Sequence, residues 1–146
     1  RYDYEHFRST LVASGWKSVT GSHERIRLAD RNVLFAGSEL PWIGNAPPSV
    51  EFAGVDVRIL LSHSPDQLRF AQKYGYDLML SGHTHGGQVV LPIVGPVFAP
   101  SIYGVSLAAG LFQRNKTTLH VSRGIGAKDP LRWNCRPELT CLEVFC

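Results

Sequence analysis

The sequence predicts an α/β protein in which a parallel β-α-β core leads into a mainly antiparallel sheet. Three observations carry this prediction. Two short apolar runs, Val57 to Ser62 and Asp77 to Ser81, are joined by a segment with helical periodicity. A crossover of that length implies parallel strands, joined almost always in the right-handed sense. After Gln88 the chain turns to short β-prone runs set off by glycine, proline and polar turns.

In chain order, Tyr4 to Ser14 reads as a helix, because Tyr4, Phe7, Leu11 and Val12 recur at helical spacing and Gly15 stands where a C-terminal cap belongs. Trp16 to Val19 reads as a short strand. Arg25 to Leu28 and Val33 to Ala36 flank the polar Ala29-Asp30-Arg31-Asn32 and predict a hairpin. Glu39 to Val50 carries three prolines and reads as a loop. The nearly continuous apolar run of Val57, Ile59, Leu60 and Leu61 is the pattern of a strand buried on both faces. Ser64 can cap the next helix, Pro65 suits its first turn, and the charge of Asp66 is favourable there. Leu68, Phe70, Ala71 and Tyr74 carry that helix to Gly75. Further strands are expected at Val89 to Leu91, Val105 to Leu111, Thr117 to Ser122 and Leu139 to Phe145.

The 146 residues fit one domain, and 44% apolar with 18% charged residues is a globular rather than a disordered composition. The formal charge of +3 suits an anionic substrate, but the cations are scattered and do not argue for nucleic acid. No apolar run reaches transmembrane length. Cys135, Cys141 and Cys146 have neither zinc-knuckle spacing nor an even count, so reduced thiols in or near a final strand are expected. Arg1-Tyr2-Asp3-Tyr4 contains no initiator Met and no signal peptide, which reads as a trimmed chain or a piece of something longer.

The chemistry concentrates in Ser81-Gly82-His83-Thr84-His85-Gly86-Gly87-Gln88, directly after an apolar run. A His-x-His pair alone is a weak signal. Parallel strands, however, place their carboxyl ends on one edge, so His63 should converge with His83 and His85 at one rim, where ligands bind in α/β folds. Three neutral imidazoles can fill three positions of a tetrahedral metal site and leave one for water. A purely structural site would use four ligands rich in Cys.

The string Leu60-Leu61-Ser62-His63-Ser64-Pro65-Asp66, followed some twenty residues on by Gly82-His83-Thr84-His85-Gly86-Gly87-Gln88, resembles the C-terminal half of a calcineurin-like metallophosphoesterase. It is similar to the bacterial phosphohydrolase branch related to UDP-2,3-diacylglucosamine pyrophosphatases and their membrane-peripheral relatives. The resemblance runs from about Trp16 to the end, including Val121-Ser122-Arg123-Gly124-Ile125-Gly126 and Arg136-Pro137-Glu138. It implies residues 1–146 as the C-terminal part of one layered α/β sandwich domain. It also implies hydrolysis of phosphoester or pyrophosphate bonds by a metal-activated hydroxide. Two divalent ions (manganese, zinc or iron) are implied for the complete enzyme, with His63 and His83 on one and His85 on the other. The family's Asp-x-His, Gly-Asp-x-x-Asp and Gly-Asn-His motifs do not occur here, so the half supplying the remaining ligands is expected upstream, in a longer parent protein. This chain alone is expected to hold at most one ion and to be weakly active or inactive, because three imidazoles cannot balance two dications.

Thr84 and Gln88 can orient ligands or bond the loop backbone, while Gly86 and Gly87 serve backbone geometry. Arg123 can clamp a phosphate or form a surface ion pair. Trp42 and Ile43 can meet an apolar part of a substrate or plug a core. His6, His23 and His120 carry no motif and are read as structural. The implied partners are a phosphorylated small molecule, nucleotide or lipid-linked substrate, with peripheral contact to the cytoplasmic membrane, or else a cytoplasmic location. Self-association through an exposed sheet edge is also expected. Two rival functions remain: a mononuclear three-His hydrolase acting alone, and a non-catalytic module binding a partner or lipid head group.

Overall fold

The computed structural model describes residues 3–42, 44–48, 52–126 and 131–145. Ile43, Val50 and Cys146 lie outside the described residues. Helix α1 (Tyr4–Ala13) opens the chain, with the Asp3 carboxylate accepting from His6 N–H at its start. Strands β1 (His23–Leu28) and β2 (Arg31–Ser38) form the expected hairpin, turning at Ala29 and Asp30. Strand β3 (Val57–Ser62), helix α2 (Leu68–Lys73) and β4 (Leu78–Ser81) form the β-α-β unit, and β3 pairs with β4 in parallel. Ser64 Oγ accepts from Asp66 N–H, as its capping position predicts, and opens a 3₁₀ turn at Pro65–Gln67 ahead of α2. Strands β5 (Val90–Leu91) and β6 (Gly95–Pro96) make a small hairpin; β7 (Gly110–Arg114) and β8 (Thr117–Val121) make another.

The main sheet runs β1-β2-β3-β4-β8-β7. Strands β2, β3, β4 and β8 are mutually parallel, and only the edge strands β1 and β7 are antiparallel. The α/β reading therefore holds, with the antiparallel part confined to two edges. Ser38, Ser62, Ser81 and Val121 stand in one register row at the carboxyl ends of the four parallel strands. That row is the rim on which the histidines follow.

Side chains alternate across the sheet. On one face Ala36, Leu60, Met79, Leu119 and Val121 bury against Leu68 and Ala71 of α2, together with Tyr76 and Leu107. On the other, Val33, Val57, Ile59 and Leu78 form a smaller cluster with Phe35 and Leu80. Leu61 on that face is exposed, so β3 is less completely buried than its apolar run predicts.

Several expected strands differ. Trp16 to Val19 forms no ladder, because β2 is already flanked by β1 and β3; only Thr20 bridges to Gly37. Gly37 permits that approach, since a Cβ there would lie 2.4 Å from the Val19 carbonyl oxygen. The strand expected from Val105 begins instead at Gly110, after a 3₁₀ turn at Gly104–Leu107 that buries Leu107. Described residues from Leu139 onward form no strand: both edges of β8 are taken, and Leu139 and Phe145 stay 94% and 87% exposed. Among the described residues Cys135 and Cys141 consequently do not lie in a final strand; Cys135 is buried, Cys141 is exposed, and both are free thiols. No helix among the described residues is long and apolar enough to cross a membrane.

Candidate metal centre

Neighbouring strand ends bring two of the three predicted histidines together. His63 follows β3 and His83 follows β4, and the His63 carbonyl accepts from Gly82 N–H at 3.3 Å. Their rings lie 4.7 Å apart between centroids, with His63 Nε2 and His83 Nδ1 separated by 3.0 Å. Two imidazole lone pairs bound to one ion at about 2.0–2.1 Å would sit about 3.3 Å apart in a tetrahedral site. The pair therefore fits one divalent ion with little movement.

His83 is suited to bind metal rather than proton. Its pKa is lowered chiefly by burial, then by the neighbouring His63, against an opposing pull from Asp66. A further lowering comes from His85 and a further raising from the Pro100 backbone. Its buried Nε2 has no hydrogen-bond partner of normal geometry. The ring also packs against Trp42, 5.3 Å between centroids.

His85 takes a different position, on the 3₁₀ turn His85–Gly87, with its Nδ1 3.1 Å from the Gly126 carbonyl oxygen. Among the described residues, no three His, Cys, Asp or Glu side chains gather as a metal-holding group. The rim thus presents one hydrogen-bonded pair, with His85 in the wall of the same cavity as His83 and its Nδ1 turned to the Gly126 carbonyl.

The loop is shaped by unusual backbone. His83, His85 and Gln88 all adopt positive φ, at 70°, 51° and 56°. Such conformations cost non-glycine residues of order 1–3 kcal/mol each and persist only where the surroundings enforce them. Thr84, fully enclosed, donates from Oγ1 to the Ala108 carbonyl at 2.6 Å, and Gln88 Nε2 donates to the Leu131 carbonyl at 3.0 Å. Both thus take the loop-bonding role. Gly86, at φ 67°, is wedged where a Cβ would come 2.7 Å from Cys135 Sγ and 2.8 Å from Arg123 Cγ. A Cβ on Gly87 would similarly meet the Phe98 carbonyl oxygen at 2.7 Å. Arg123 forms an ion pair with Glu138, Nη1 to Oε2 at 2.9 Å, and braces Gly86 with its methylenes.

Sequence reasoning missed the strap behind this loop. Residues 131–135 run beside it: Trp133 N–H donates to the Gln88 carbonyl at 2.9 Å, and Val90 N–H to the Trp133 carbonyl at 3.0 Å. The Cys135 thiol donates toward the His85 and Gly86 carbonyls at 3.3 and 3.6 Å. These residues show no motif, because their contacts span some forty positions; a free Cys three residues from an Arg was the only sign. Asp66 also does more than favour its helix start, its Oδ1 accepting from Ser101 Oγ at 2.6 Å and Ile102 N–H at 3.1 Å. Glu39, just past β2, has a buried Oε2 with no hydrogen-bond partner and lines a cavity of about 520 Å³ with His63. A second cavity, of about 690 Å³, has Trp42, His83, His85, Val97, Phe98 and Leu131 in its wall.

Similarity to known proteins agrees with this rim. The chain is 36% identical over 136 residues to phosphodiesterase YaeI of Escherichia coli, covering 92% of this chain and 50% of that protein. It is 34% identical over 143 residues to the metallophosphoesterase YkuE of Bacillus subtilis, covering 94% of this chain and 50% of the relative. To the UDP-2,3-diacylglucosamine pyrophosphatase LpxG of Chlamydia muridarum it is 38% identical over 96 residues, 60% of this chain and 29% of that protein. The chain thus spans about half the length of the first two relatives. No family model and no solved structure matches it. With a histidine pair poised at adjacent strand ends, the chain is similar along nearly its whole length to about half of a phosphodiesterase and half of a metallophosphoesterase.

Proposed function

We propose that this chain is the C-terminal part of a metal-dependent hydrolase of phosphoester or pyrophosphate bonds, an activity exercised by a longer protein. The observation that carries the reading is the 3.0 Å approach of His63 Nε2 and His83 Nδ1 at the ends of adjacent parallel strands. In this reading His63 and His83 hold one divalent ion and His85 serves a second, with manganese, zinc or iron as candidates. A bound divalent ion supplies Lewis acidity and a water that ionises near neutral pH.

The chain's own residues do the rest. His83, kept neutral by burial and by His63, offers a lone pair without first losing a proton. Thr84 and Gln88 hold the loop by bonds to backbone, and Arg123 braces it through Gly86. Three imidazoles bring no negative charge, so the carboxylates that offset two dications belong to the rest of the longer protein.

The apolar wall of the 690 Å³ cavity, formed by Trp42, Val97, Phe98 and Leu131 beside His83 and His85, supports a phosphorylated substrate with an apolar portion, such as a lipid-linked one. Exposed Ile93 and Val94 on the adjoining β5–β6 hairpin support a location peripheral to the cytoplasmic membrane.

The test is metal stoichiometry on the purified chain, with manganese and zinc offered separately, beside His83→Ala. About one ion per chain, lost in the variant, is expected. Equal binding by wild type and variant would overturn the assignment of the site. In the longer protein, the same substitution is expected to lower kcat for a phosphodiester by at least about 100-fold.

A further inference from the structure

We infer that Arg132 is a positioning residue for His85: from behind the loop, it fixes the carbonyl that sets the ring's orientation and tautomer. The inference deepens the proposed metal site and rests on it for the role of His85, but its main readout needs no metal.

The surroundings of Arg132 are unusual for an arginine. Among the described residues it forms no ion pair, and its guanidinium instead collects main-chain carbonyls. Nη2 donates to Arg123 O at 2.9 Å, to Gly124 O at 3.4 Å, and closely to Gly126 O. Nη1 reaches His85 O and Cys135 O, each at 3.5 Å. One fork of donors thus ties three pieces of chain together: the turn after β8, the start of the His85–Gly87 turn, and the strap.

The Gly126 carbonyl is the shared point. It lies 3.1 Å from His85 Nδ1, and a carbonyl can only accept, so Nδ1 must carry the proton. Arg132 Nη2 lies 3.5 Å from the same Nδ1 but cannot donate to a nitrogen already protonated. Nε2 is therefore left with its lone pair free. This is how outer hydrogen bonds commonly prepare a histidine for a metal. Gly126 sits in an exposed stretch, and among the described residues no other side chain is seen to bond its carbonyl. Without the guanidinium that carbonyl loses its anchor, and the proton on His85 is free to move to Nε2.

The experiment is nitrogen-15 NMR of the histidine rings in metal-free protein at pH 8, comparing wild type, Arg132→Met and Arg132→Lys. Wild-type His85 is expected as the Nδ1–H tautomer. Arg132→Met should shift it toward Nε2–H while His63 and His83 keep their signals, and Arg132→Lys, with a single donor point, should fall between. In the longer protein, where His85 is proposed to serve the second ion, zinc or manganese affinity for that ion should weaken about 10–100-fold in Arg132→Met. A wild-type His85 found as Nε2–H would overturn the inference, whether or not a variant folds. So would a folded Arg132→Met with an unchanged His85 tautomer. If the tautomer behaves as expected but His83→Ala still binds metal normally, the proposed site fails and the positioning role stands.

Discussion

The two faces of the central sheet are built from the same strands yet are finished very differently. On the face toward α2, Leu60, Met79 and Leu119 are fully buried and touch a regular helix. On the opposite face, Leu61 and Leu111 stay exposed, and the cover is the irregular segment 139–145. That segment lies over cavities of about 520 and 440 Å³ that reach Leu61, Leu80, His120, Leu78 and Leu111. A parallel sheet is stable when both faces are covered by packed structure. The difference shows that the described chain supplies one good layer and leaves the second thin. The candidate metal centre lies on the rim between them, its loop held by the strap rather than by either layer.

Four substitutions sharpen this comparison. The largest effect is expected on the helix-covered face, where Met79→Ala should lower unfolding free energy by about 2–5 kcal/mol. Leu111→Ala, on a side chain 64% exposed, should stay within about 0.5 kcal/mol. Urea denaturation of the two variants measures the contrast directly, and equal losses would mean that the second face is packed after all.

Next comes the loop itself. Gly86→Ala adds a methyl against Cys135 and Arg123 at a positive φ, and should cost about 1–3 kcal/mol. A matching loss of metal binding, read by titration calorimetry, would tie the strap to the site. An unchanged melting temperature would show that the wedge around Gly86 is loose.

The smallest effect is at high pH. Burial raises the Tyr76 pKa above 10, so its neutral form is favoured by folding. The stability this adds is complete below the unfolded pKa of about 10 and is lost as pH rises through the folded value. Thermal melts between pH 9 and about 11 should show a steeper fall for wild type than for Tyr76→Phe. Parallel curves would mean that this ring is better solvated than its place in the covered core implies.

Local pattern made the central part of the fold legible. β3, the capped turn at Ser64, α2 and β4 each carry their own signal of apolar run, cap or glycine stop, and each formed where the sequence placed it. The convergence of His63 and His83 was legible too, because parallel strands must end on one edge. The missed elements depended on partners. Trp16 to Val19 and Leu139 to Phe145 have strand-like composition but extend the described sheet at neither of its edges, β1 or β7, and which segment joins an edge is a property of the whole sheet.

The sequence by itself therefore determined the β-α-β unit and the identity of the three imidazoles, since these depend on neighbours close along the chain. Only the tertiary structure decided that His63 and His83 bond to each other while His85 Nδ1 turns to the Gly126 carbonyl. It also decided that Arg132 and Cys135, some fifty residues away, brace the loop. The physical reason is that imidazole chemistry is fixed by residue type, whereas the direction of a lone pair is fixed by whatever holds the other nitrogen.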